Sequence, residues 1–191
     1  APASATFIIS YSGFSAEAQA AFQAAVDIWA TQISSPVPIR VSASWQALGP
    51  GVLGSAGANN FFRDFAGAPR GGTWYPVALA NKLAGKDLDP ANVDIVARFS
   101  SVFPNWYFGT DGNTPPGDYD LMSVVLHELG HGLGFAGSAG YSGSQGSWGF
   151  GSGFPFAYDR FVENGSAQAI LNTALFPNPS VALGDQLTSG N

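Results

Sequence analysis

The chain has 191 residues, 46% of them apolar, which suits one domain with a substantial core or one domain with a large insertion. A formal charge of −6 and only seven Lys and Arg residues argue against a nucleic-acid surface, and no basic amphipathic helix offers a membrane face. No apolar run approaches the ~18 residues needed to cross a bilayer, and the absence of cysteine leaves His, carboxylate and water as ligands for any metal.

The start, Ala1-Pro2-Ala3, looks like the end left by cleavage of an export signal. Together with a charged fraction of 10% and many Gly and aromatic residues, it predicts a secreted protein. Residues 6–10 read as a short strand through Phe7, Ile8 and Ile9. Ser15 then serves as N-cap for a helix to about Gln32, with Phe22, Val26, Trp29 and Ile33 at helical spacing toward the core. Pro36 and Pro38 end it. Residues 39–45 alternate with Ile39, Val41, Ala43 and Trp45 on one face, a half-buried strand.

Residues 49–73, rich in Gly, Ala and Asn, predict loop with room for a short strand, and residues 74–80 predict a further strand. Residues 93–99 alternate again, with Val93, Ile95, Ala97 and Phe99 on one side. After a turn-rich stretch over 109–117, Asp118 is placed to cap a second long helix reaching about Gly132. Ten of the twenty-four residues from Gly130 to Gly153 are glycine, a composition that argues against regular structure. Residues 158–163 suggest a short helix, and the tail has weak pattern. The expected architecture is α+β: a single domain over 1–191 with a Gly- and aromatic-rich insertion loop at 136–157.

The second long helix carries His127-Glu128-Leu129-Gly130-His131. The chain has two histidines in all, and random placement produces this arrangement roughly once in six thousand sequences of its composition. Residues four apart on a helix lie about 40° apart around its axis and one turn apart along it. Two imidazoles so placed can share one Zn²⁺ at roughly 2.0–2.1 Å each. Glu128 sits about 100° round from His127, so its carboxylate can reach a water at the metal without becoming a ligand, and can carry a proton from that water to a leaving amine. Leu121, Met122, Val125 and Leu129 face the other way, toward a core.

The run Val124-Val125-Leu126-His127-Glu128-Leu129-Gly130-His131-Gly132-Leu133-Gly134-Phe135 resembles the active-site helix of metzincin-type, matrixin-related zinc peptidases, and Gly134 falls on the glycine where their chain leaves that helix. Residues 93–99 resemble the sheet-edge strand on which such enzymes align an extended peptide. The resemblance implies a zincin fold, with a twisted mixed sheet, a backing helix and an active-site helix. It also implies zinc as cofactor, a protein or peptide substrate, and Glu128 as the catalytic base.

The sequence departs from that pattern at one decisive place. Gly137 stands where the third ligand should be, no histidine follows His131, and the single methionine, Met122, lies upstream of the motif. A catalytic zinc normally has three protein ligands plus water. Either a carboxylate of this chain completes the shell, with Asp159 the leading candidate ahead of Glu163 and Asp185, or a further C-terminal segment or another chain does so. Asp159 also reads more simply as a partner for Arg160 or as a helix-end carboxylate.

Two further features have competing readings. Asp111, Asn113, Asp118 and Asp120 place oxygen ligands in one stretch suited to Ca²⁺, although Pro115 breaks the EF-hand spacing and plain turn chemistry accounts for the same residues. Tyr141, Trp148, Phe150, Phe154 and Phe156 read as anchors of an irregular loop, with a flap over a substrate cleft as the alternative. The functional expectation is a zinc-dependent endopeptidase. The competing expectations are a non-catalytic zinc-containing adhesion or recognition module and a zinc hydrolase of a non-peptide amide.

Overall fold

The structure is a computed structural model in which residues 4–188 are described. The first half of the chain holds β1 (Phe7–Ser12), α1 (Ala16–Gln32), β2 (Ile39–Gln46), β3 (Gly54–Ala58), β4 (Phe61–Phe62), β5 (Tyr75–Pro76), α2 (Val77–Ala84) and β6 (Ile95–Ser100). The second half holds β7 (Trp106–Tyr107), β8 (Tyr119–Asp120), α3 (Leu121–Leu133), β9 (Gly140–Ser142), β10 (Gln145–Ser147) and α4 (Val181–Thr188), with 3₁₀ turns at Gly149–Gly151 and Tyr158–Phe161. Two compact units result. The first runs up to Asn60 and resumes over Pro76–Leu133; the second joins Phe61–Tyr75 to the residues from Gly134 onward. No described helix is long and apolar enough to cross a membrane.

The first unit is a mixed sheet with helices. The strand order is β1-β2-β6-β3, with β1, β2 and β6 parallel and β3 antiparallel to β6. The predicted helix forms as α1, and the Ser15 side chain accepts from Ala18 N at 3.2 Å. Its inward face is Ala18, Ala21, Phe22, Ala25 and Val26, mostly small side chains that let the helix lie close to the sheet. Val41, Ile95, Ala97 and Phe99 from the strands and Leu121, Val125 and Leu129 from α3 complete this core at full burial. Each large aliphatic so buried contributes about 1.5–3 kcal/mol.

Several expectations change here. Residues 74–80 do not form one strand: β5 is two residues long, and the chain turns into α2 because Val77, Ala80 and Asn81, at helical spacing, all find burial. Gly85, at φ 68°, ends that helix in the left-handed conformation. Asn81 donates to Asp94 Oδ1 at 3.0 Å, and Asp94 Oδ2 accepts from Arg40 N at 2.7 Å, so one buried carboxylate ties α2 to β2 beside the start of β6. Burial holds the Asp94 carboxyl above its ordinary range. The strand at residues 93–99 is not an edge either. As β6 it lies between β2 and β3, and the outermost strand on that side is β3.

The second unit, where the sequence suggests an unstructured insertion at 136–157, contains an antiparallel hairpin, β9–β10. Glycine makes this hairpin possible. A Cβ on Gly146 would lie 2.5 Å from Gly184 N, and one on Gly184 would lie 2.8 Å from Gly146 N, so the hairpin and α4 pack backbone against backbone. Ile170, Phe176 and Leu183 form a small core beside it, with Trp148 packed on them. Phe156 stacks on Phe61 with centroids 4.4 Å apart, and Arg63 lies over Phe154 at 4.0 Å. Trp148, Phe154 and Phe156 thus behave as anchors, whereas Tyr141 and Phe150 are exposed.

Candidate metal centre

α3 starts from Asp120, not Asp118: Asp120 Oδ1 accepts from Met122 N at 3.1 Å, and Oδ2 accepts from Ser123 Oγ. Leu121, Val125 and Leu129, spaced by one turn, point into the core at 0% exposure. That commitment turns His127, Glu128 and His131 away from the core, with His127 exposed and the other two half-buried. Three contacts fix the helix at the motif. Trp29 Nε1 of α1 donates to Leu126 O at 2.9 Å. Gly132 lies so close to β6 that a Cβ would meet Ile95 Cγ2 at 2.5 Å. Gly134, at φ 125°, takes the chain off the helix end, as the motif implies.

The two imidazoles converge. Their Nε2 atoms are 3.1 Å apart, with ring centroids at 4.7 Å and planes at 90°. Two nitrogens bound tetrahedrally to one zinc at ~2.0–2.1 Å are themselves separated by about 3.3 Å, so the pair is set for a shared ion. A carboxylate oxygen of Glu128 and one nitrogen from each histidine all lie within 4.8 Å of one another. Among the described residues, these are the three side chains that the structure brings together as a possible metal group.

Glu128 also has a partner that sequence does not suggest. Its Oε2 accepts from Ala56 N, in the middle of β3, at 3.0 Å. Ser100 N donates to Leu53 O, and Asn59 N donates to Asp94 O, so the odd-numbered backbone groups of this segment turn inward to β6. The groups of Gly54, Ala56 and Ala58 therefore point outward, to the edge where Glu128 stands. β3 also borders an open groove of ≈380 Å³ lined by residues 55–59 with Val96 and Arg98. The only hint of this strand in the sequence is its run of small residues, Gly-Ser-Ala-Gly-Ala, which carries no strand signature because no large side chain alternates along it.

Asp159 has a different task from the one proposed for a third ligand. It lies in the second unit at 1% exposure. Its Oδ1 accepts from Ser138 N at 2.8 Å, and its Oδ2 accepts from Phe156 N at 2.7 Å and from Ser138 Oγ. Gly137, at the position expected for a ligand, is where a Cβ would come within 2.8 Å of Asp159 Oδ1. Nor does Asp159 pair with Arg160, whose Nε donates to Thr73 Oγ1 at 2.7 Å. Glu163 forms an isolated backbone bridge with Ala169, and Asp185 lies on α4.

The oxygen-rich stretch before α3 is likewise occupied by local bonds. Asp111 Oδ1 accepts from Tyr107 Oη at 2.5 Å and from Asn113 N at 3.0 Å, while Oδ2 accepts from Asn113 Nδ2 at 3.0 Å. The Tyr107 hydrogen bond, followed by those from Asn113, lowers the Asp111 carboxyl to about 2. With Asp120 spent on the start of α3, turn and cap chemistry accounts for the Asp111 and Asp120 carboxylates.

Comparisons with protein-family models, with curated proteins and with solved structures find no match. What the site can do follows from its own donor set.

Proposed function

We propose that this chain is an exported zinc-dependent endopeptidase of metzincin-like kind, with His127 and His131 holding the metal and Glu128 acting as the base. The observation that carries the reading is the convergence of the two Nε2 atoms at 3.1 Å with a carboxylate beside them, on a helix that runs along a sheet edge. Two neutral imidazoles suit zinc in both donor type and spacing. Bound zinc supplies Lewis acidity, which polarises a carbonyl and acidifies a water.

The remaining work falls to the chain. Glu128, steadied by Ala56 N–H, accepts a proton from the attacking water and returns it to the leaving nitrogen. β3, the outermost strand, offers an extended peptide the backbone groups needed to pair as a further strand. The histidines account for two protein ligands, and the engagement of Asp159 in buried hydrogen bonds leaves the third to another carboxylate of the chain or to a further segment or chain.

Metal analysis and peptide-library cleavage test this reading. The purified chain should carry about one zinc, which His131→Ala should lose. Glu128→Gln should retain zinc while cleavage falls about 10²–10⁴-fold. Zinc bound without any cleavage would favour the non-catalytic recognition module, and no zinc at all would end the proposal.

A further inference from the structure

Arg98 is the cation that borders the groove along β3. It is exposed on β6, and its register neighbours are Ser44 on β2 and Ser55 on β3. Among the described residues it has no ion-pair partner, whereas Arg40 is paired with Asp87 and Arg63 with Asp64. The surrounding chain has a formal charge of −6, so this guanidinium is a local exception in an anionic protein.

We propose that Arg98 makes the groove selective for an acidic side chain of an extended peptide lying on the outer edge of β3. This rests on the endopeptidase reading and adds the substrate class. Ala56 N–H holds Glu128, so the peptide backbone meets the outward groups of Gly54 and Ala58 and the Ala56 carbonyl. The peptide residue opposite Ser55 then presents its side chain on the face that carries Arg98. Its backbone lies two strand spacings, about 10 Å, from that of Arg98. The hydroxymethyl of Ser55 is too short to block the gap, and a guanidinium on its three-methylene stem, together with a glutamate, spans it. The next peptide side chain on the same face passes over Gly57, where a Cβ would meet no atom within 4 Å, and beside Val96. An acidic residue with an apolar neighbour two positions away is the pattern this edge selects.

Paired fluorogenic peptides test the assignment, with Glu or Gln substituted at each position in turn. The zinc-loaded chain should cleave the Glu member about fivefold faster at a single position, with the preference shrinking at high salt. Arg98→Gln should abolish the Glu:Gln ratio, and Arg98→Glu should invert it. Binding of the same peptides to the zinc-loaded Glu128→Gln variant, followed by fluorescence anisotropy, should show the same preference without turnover. Cleavage with no acidic preference, or a preference unchanged in Arg98→Glu, would overturn the assignment and leave the endopeptidase reading standing. Failure of the wild type to cleave any peptide removes the endopeptidase reading, and failure to bind the acidic peptides preferentially removes the assignment separately.

Discussion

Replacing Gly132 by alanine places a Cβ 2.5 Å from Ile95 Cγ2 and 2.9 Å from both Cγ1 and Cδ1. Carbon atoms in a packed interior rest at about 3.5–4.0 Å, so α3 or β6 must move by roughly an ångström. A contact this short belongs at the upper end of the overpacking range, about 2–3 kcal/mol. Removing a helical glycine returns up to ~1 kcal/mol, leaving a net loss of about 1–2 kcal/mol. For a chain of this size that lowers Tm by roughly 2–8 °C. Ile95→Ala deletes all three clashing atoms and alone costs about 2–5 kcal/mol. In the double variant the new methyl occupies vacated space, so the two losses should fall short of their sum by about 1–2 kcal/mol. Urea unfolding followed by the fluorescence of the five tryptophans measures all four chains, and a common slope converts the midpoints to free energies. His131 precedes Gly132, so zinc affinity should weaken in Gly132→Ala and recover in the double variant. A Gly132→Ala chain as stable as wild type, or strictly additive losses, would refute the close approach of α3 to β6.

Two other expectations concern the carboxylates outside the metal group. Asp159→Ala strands the buried donors of Ser138 and the part-buried N–H of Phe156 and should cost about 1–3 kcal/mol in urea unfolding while zinc content stays constant; zinc loss from a folded Asp159→Ala chain would restore that residue as a ligand. The Asp111 carboxyl, lowered from 3.8 to about 2, is favoured in its charged form by the fold. Its contribution to loop order is therefore present above pH 3.8 and is lost as pH falls through about 2. Carboxyl carbon chemical shifts should show that titration, moved back toward 3.8 in Tyr107→Phe. An Asp111 titration unmoved by Tyr107→Phe would contradict the assigned cause.

The elements legible in the sequence were those with a strong local signal. α1 forms behind Ser15, whose hydroxyl caps it, and β2 buries Ile39, Val41 and Ala43 as their alternation implies. The mixed α+β class follows from such patterns, as does the helix carrying the histidines. Elements built on small residues carry weaker signals: residues 49–73 admit a short strand without placing it, and the hairpin over 140–147 reads as loop. β3 contains only Gly, Ser and Ala, and at its first residue, Gly54, Phe99 and Arg98 O leave no room for a side chain. In the β9–β10 hairpin Gly143 takes a positive φ of 65° at the turn and Gly146 meets the α4 backbone directly. At Gly54 and Gly146 steric fit selects the residue, and propensity scales read such glycines as loop. α2 is hidden for another reason: Val77, Ala78 and Ala80 are apolar enough for either structure, and the buried Asn81–Asp94 bond helps select the helix.

His127, Glu128 and His131 could be found without a fold because the α-helix is a local structure: its pitch alone brings residues four apart to one side at metal-sharing distance. Everything that surrounds them depends on distant parts of the chain. Tertiary structure made β3 the outer strand and delivered Ala56 N–H to Glu128. It set Arg98 between two serines and closed Asp159 into a buried hydrogen-bonded turn. Those outcomes turn on which strand pairs with which and on which carboxylate finds buried donors. Both are settled by contacts between residues tens of positions apart, which no local periodicity records.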